Sequence, residues 1–354
     1  MGRGRPALAV AALAAVLVAG GASLGACAEA PAGPLPAPPA ARPAVRAVTL
    51  DARRPLAEAD FDSLAALGVT HVAVVPFAFQ ETGRSASLRF RPDAPWYSES
   101  TVGLRRIARE LGARGVGVIV KPQVWVGDGT WSADVDAAPG WARWEAGYRA
   151  FALYWAGVAA EVGADVFVVG TELAGSAEAR GPFWRRLVAD VRAVYPGRVT
   201  YAANWDRYDR VGFWDALDLV GVQAYFPVDG AAGPAAAWGR HRDALAAFAE
   251  RAGRPVLFTE AGYRPSADAA REPWLWDSDA APDPALQARL YAALFEATWA
   301  EPWFAGVVVW KWSPPGPGGH PGGDGFDVRG QPAAEVVRTW FRPAPADAAP
   351  PATP

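Results

Sequence analysis

The stretch Phe167-Val168-Val169-Gly170-Thr171-Glu172-Leu173 decides how this chain is read. An apolar run of this length, bounded by Gly, has the pattern of a parallel strand buried on both faces. It ends on a carboxylate. Val256-Leu257-Phe258-Thr259-Glu260-Ala261-Gly262-Tyr263 has the same form, again closing on Thr-Glu. A glutamate just past each of two buried strands stands at the rim of a sheet. Two such carboxylates suit paired acid/base chemistry.

Working outward, strands read at about 45–51, 70–78, 116–125, 164–173, 198–205, 219–227, 255–263 and 305–312. Helical patterns alternate with them at about 57–67, 101–114, 141–162, 180–194, 211–217, 235–252, 284–300 and 332–341. Eight strand–helix units are the count of an α/β fold of the (β/α)8 barrel type, here a single domain over 45–341. In the third helix Trp141, Trp144, Tyr148, Phe151, Trp155, Val158 and Val162 recur by three and four. That spacing makes one core-facing stripe rather than a sugar platform.

Connections from helix to strand are tight, as at Leu67-Gly68, Val162-Gly163 and Gly253-Arg254. Connections from strand to helix are long at 79–100, 126–140, 264–283 and 313–331. Insertions therefore gather at the C-terminal ends of the strands, the rim on which barrels carry their sites. Glu172 and Glu260 both belong to that rim.

The ends of the chain differ in kind. Arg3 and Arg5, the apolar run Ala7 to Gly21 and the close Leu24-Gly25-Ala26-Cys27 make residues 1–27 a targeting segment. The last tetrapeptide resembles the bacterial lipobox, in which cleavage precedes a cysteine that then carries lipid. Cys27 is the chain's single cysteine and stands where lipidation requires it. An ordinary cleaved signal or a short membrane anchor is the alternative. Residues 28–44 and 342–354 are Pro/Ala-rich, expected as a semi-rigid spacer and a disordered tail. The domain is expected on the extracytoplasmic side of a bacterial envelope. Where the organism has two membranes, the outer one is the expected anchor, since Ala28 gives no acidic retention signal.

A net charge of -3 supplies no basic field for nucleic acid. The histidines at 71, 241 and 320 have no metal-ligand spacing, so no metal is expected and a metal-dependent hydrolase is disfavoured. The glycine runs 127–129 and 318–325 fit no phosphate-binding fingerprint and read as rim loops. The chain is expected to act as a monomer.

Hydrolysis of a glycoside needs an acid for the leaving oxygen and a carboxylate that attacks the anomeric carbon or activates water. Strands four and seven face each other across a barrel mouth, so Glu172 and Glu260 can flank a bound sugar. The bland alternative, a rim carboxylate paired with arginine, is weaker because both follow apolar strands directly. Residue types alone do not say which glutamate is the acid. Other strand ends carry aromatic and amide groups suited to sugars: Lys121 and Trp125, Asn204-Trp205-Asp206, Tyr225, and Trp310 with Trp312. Singly each reads as packing; together they favour a carbohydrate site. A barrel that binds glycans without turnover is the rival class.

The motifs Lys121-Pro122, Gly170-Thr171-Glu172-Leu173, Tyr201-Ala202-Ala203-Asn204-Trp205-Asp206, Phe213-Trp214, Tyr225-Phe226-Pro227 and Phe258-Thr259-Glu260-Ala261-Gly262-Tyr263 carry a resemblance. Together they look like glycoside hydrolase family 113, from about Val45 to Phe341. The resemblance implies a (β/α)8 barrel, endo-β-1,4-mannanase activity with retention of configuration, and no cofactor. Glu172 matches the family's acid/base and Glu260 its nucleophile. Tyr225 matches the tyrosine beside the nucleophile, and Trp310 the aromatic under the sugar at the cleavage point. Most members of the wider clan place Asn before the acid/base, where this chain has Thr171. The hydrogen bond to the sugar 2-hydroxyl is then expected from Asn204. Hydrolysis of another β-glycan or an envelope polysaccharide stays open.

Overall fold

Along the chain the strands are β1 (Val45–Leu50), β2 (His71–Val74), β3 (Phe77–Gln80), β4 (Leu88–Phe90), β5 (Gly117–Val120), β6 (Gln123–Val126), β7 (Val166–Thr171), β8 (Arg198–Asn204), β9 (Val220–Gln223), β10 (Val256–Ala261) and β11 (Phe304–Trp312). The helices are α1 (Glu58–Ala66), α2 (Thr101–Gly112), α3 (Trp141–Glu161), α4 (Ala174–Ala179), α5 (Gly181–Arg192), α6 (Pro234–Ala252), α7 (Pro284–Thr298) and α8 (Pro332–Phe341). The structure, a computed structural model, describes residues 43–315 and 325–342. The expected targeting segment with Cys27, the expected spacer up to residue 42, most of the 318–325 glycine run and the Pro/Ala-rich residues from 343 lie outside the described residues.

Eight strands close a barrel in the order β1-β11-β10-β9-β8-β7-β5-β2, and their neighbours pair in parallel. This is the (β/α)8 barrel read from the sequence. Small and β-branched side chains fill its interior, among them Ala47, Ala73, Ile119, Val168, Ala202 and Val308. A second, larger apolar layer lies between barrel and helices. There Trp144, Tyr148, Phe151, Trp155 and Val158 form the buried stripe of α3, as their spacing implies. The Tyr148 hydroxyl donates to the Val169 carbonyl at 2.9 Å, fastening that helix to β7 three residues before Glu172.

Two expected strands are each divided. The segment 70–78 is β2 followed by β3, and 116–125 is β5 followed by β6, with Pro76 and Pro122 at the breaks. Proline offers no ladder donor, so barrel pairing stops there. Beyond the breaks β3 and β6 pair in parallel and β4 joins antiparallel, a separate three-stranded sheet. The helix expected at 211–217 is one 3-10 turn, Trp214–Ala216. Its apolar residues pack as large rings instead: Phe213 stacks on Trp184 at 5.8 Å.

Candidate active site

Each glutamate follows an irregularity in its strand. Pairing of β7 with β8 shifts register between Val168 and Thr171, and pairing of β10 with β9 shifts between Phe258 and Glu260. Such bulges re-aim the side chains that follow them. Gly170 is required at the first: a Cβ there would meet the Trp184 ring at 2.6 Å. Glu172 itself has φ 56°, a left-handed backbone unusual for a residue with a side chain. Its N–H donates to the Ala202 carbonyl at 2.9 Å, which holds that conformation. Local strain of this kind persists where surrounding structure imposes it.

Glu260 is 5% exposed and both its oxygens are engaged. The Lys121 ammonium lies on Oε1, and the Tyr225 hydroxyl donates to Oε2 at 2.7 Å. Lys121, expected to hydrogen-bond a sugar, thus serves the carboxylate. An ammonium only 1% exposed needs an ionic partner, and β5 brings it to the mouth opposite β10. Trp310 stands beside this pair, the Lys121 Nζ 5.1 Å from its ring centre. Trp312 is buried in the outer apolar layer.

Glu172 is differently placed. Asn204 Nδ2 donates to its Oε1 at 3.1 Å. The residue keeps some surface open, but its carboxyl is enclosed by protein. That burial, and then the negative charge of Glu260, push it up to about 8, against the pull of Lys121. The Asn204 amide therefore serves the Glu172 carboxyl, while its Oδ1 has no partner among the described residues. Thr171 is fully buried, and its hydroxyl donates to the Pro122 carbonyl at 3.0 Å. It ties β7 to the break between β5 and β6.

Glu172, Glu260, Lys121, Asn204, Tyr225 and Trp310 thus share one mouth. Trp125 and Trp205 lie further out on the rim. Trp125 is 50% exposed on β6, and Trp205 is half-buried against Phe226. Two groups were missed in the sequence. Gln223, fully buried at the end of β9, accepts from the Thr259 hydroxyl at 2.9 Å, and its amide faces Glu172. A lone amide closing the apolar run Leu219-Val220-Gly221-Val222 was the available signal. At β1 and β11 the Lys311 ammonium donates to Asp51 at 2.5 Å. Nearby Glu99 is pushed up to about 8 by burial and then by Asp51.

Residues 47–316 match the sequence profile of Glycoside Hydrolase Family 113. A β-mannanase of that family from Alicyclobacillus acidocaldarius superposes with a TM-score of 0.74 at 28% identity, covering 84% of this chain and 96% of its own. Another family 113 β-1,4-mannanase gives 0.73 at 26%, covering 84% and 98%. A family 5 glycoside hydrolase from Streptomyces cattleya, at 20% identity and a TM-score of 0.58 over 86% and 82%, shares the fold. No curated relative matches the chain.

Proposed function

The chain belongs to glycoside hydrolase family 113 and is a glycoside hydrolase, and on that premise we propose that it cleaves β-1,4-linked mannan with retention of configuration. The observation that carries the reading is the contrast between the two carboxylates. Glu260 has an ammonium and a phenol on its oxygens, which orient it and give its negative charge a partner. Glu172 is held in the protonated form up to about 8 by burial and by Glu260. Carboxylates whose environments differ in this way divide into nucleophile and acid.

Glu260 attacks the anomeric carbon as the glycosidic bond breaks, and Glu172 passes its proton to the leaving oxygen. Once Glu260 is esterified its charge is gone, so Glu172 ionises more readily. Glu172 then takes a proton from the water that releases the sugar. Trp310 offers a ring face to the reacting sugar, and the free Oδ1 of Asn204 an acceptor for a hydroxyl. The mannanase neighbours support β-mannan as substrate.

The roles are tested with azide and an activated aryl glycoside. Glu172→Ala should form the glycosyl-enzyme, stall, and yield a glycosyl azide of retained configuration. Glu260→Ala should lose hydrolysis and give only the inverted azide. The opposite pairing, read by NMR, exchanges the roles; full activity in both variants removes them. A panel of β-mannan, β-glucan and xylan tests the substrate.

The close Leu24-Gly25-Ala26-Cys27 behind an apolar run supports lipidation at Cys27. The barrel would then be held at the outer face of a membrane by that lipid alone, with residues 28–44 as spacer.

A further inference from the structure

The connection 264–283 between β10 and α7 is a built element. Ser266 pairs antiparallel with Pro282 across its base, and the Ala267 N–H donates to the Ala281 carbonyl at 2.9 Å. Inside it the Asp268 carboxylate accepts from Arg264, Ser266 and Ser278. The Val228 N–H donates to the Ala270 carbonyl at 2.7 Å. Yet this well-fastened loop leaves Trp274 and Trp276 43% and 56% exposed. Core packing gives no reason for two such rings on a rigid rim loop.

Their neighbours suggest one. Trp274 lies face to face on Trp205, ring centres 5.5 Å apart at 18°. Trp276 meets Trp125 edge-on at 6.2 Å and 72°. Trp205 follows Asn204 at the end of β8, whereas Trp125 sits on β6 just beyond β5. Between β8 and β5 in the barrel runs β7, which delivers Glu172. A loop from the seventh barrel strand therefore reaches both sectors that flank the general acid. The acid protonates the oxygen that leaves, so sugars beyond that oxygen extend on its side of the mouth. Pyranose rings present apolar faces to aromatic rings of this kind.

We infer that loop 264–283, with Trp205 and Trp125, forms the binding cleft for the leaving-group side of a β-linked glycan, and that Trp274 and Trp276 grip its sugar residues. The inference rests on the hydrolase reading above. It is tested on an activated monosaccharide aryl glycoside, which has no sugar on that side, and on the β-linked hexasaccharide that the wild type cleaves best. Trp276→Ala and Trp274→Ala should each lower kcat/KM on the hexasaccharide about tenfold relative to the aryl glycoside, chiefly through KM. Trp276→Phe should recover most of the loss. An unmoved ratio, or an equal fall on both substrates, overturns the inference and leaves the hydrolase reading intact. A wild type inactive on both substrates overturns both.

Discussion

At the scale of single residues, the proposed mechanism turns on how Glu172 is kept protonated beside Glu260. In that mechanism kcat/KM requires the proton, so it should fall as pH rises through about 8. The positive charge of Lys121 pulls the pKa of Glu172 down, so Lys121→Met should move this basic limb higher, in a pH–rate profile. The same change leaves Glu260 buried without its ammonium and should cost about 3–5 kcal/mol in a denaturant titration. Stability follows the same protons. Glu172 and Glu99 both rise from 4.5 to about 8 on folding, so between those values the native state holds protons that the unfolded chain has released. Unfolding free energy should therefore decline as pH rises through that window. Glu172→Gln and Glu99→Gln should each flatten the decline; an unchanged slope in both would refute the assignment.

At the scale of elements, the bulges at the ends of β7 and β10 convert strands into carriers of aimed side chains. The first depends on the space left by Gly170 for the Trp184 ring of α5. Gly170→Ala should cost about 1–3 kcal/mol through overpacking. It should also lower activity on every substrate alike, because Glu172 lies two residues on. Full stability and activity in that variant would show that the strand end has room to adjust. The prolines at 76 and 122 act on the same scale, ending barrel pairing and releasing β3 and β6 to build a side of the rim.

For the whole molecule, the long connections gather on one face of the barrel, and the carboxylates lie on that face. The proposed anchor belongs to this scale too. Mass spectrometry of the mature chain should find Cys27 as its acylated first residue. Cys27→Ala should shift the protein from the membrane to the soluble fraction. A mature N-terminus downstream of Cys27 without lipid would leave a simple secreted protein.

Periodicity alone was enough for the barrel, because eight apolar strands alternating with amphipathic helices have few other ways to bury both strand faces. The two glutamates were legible for the same reason, each a charge closing a run that is otherwise apolar. Which partners those charges take was not legible. Lys121 reads as a sugar ligand until β5 and β10 are brought to one mouth and its ammonium falls on Glu260. Thr171 reads as a replacement for a sugar-binding Asn until the bulge turns its hydroxyl to the Pro122 carbonyl. Trp274 and Trp276 lie in a connection with no period to read, and only closure of the barrel sets them against Trp205 and Trp125. Local sequence determines which faces are apolar and where strands end; contacts between residues far apart in the chain exist only once the sheet has closed on itself.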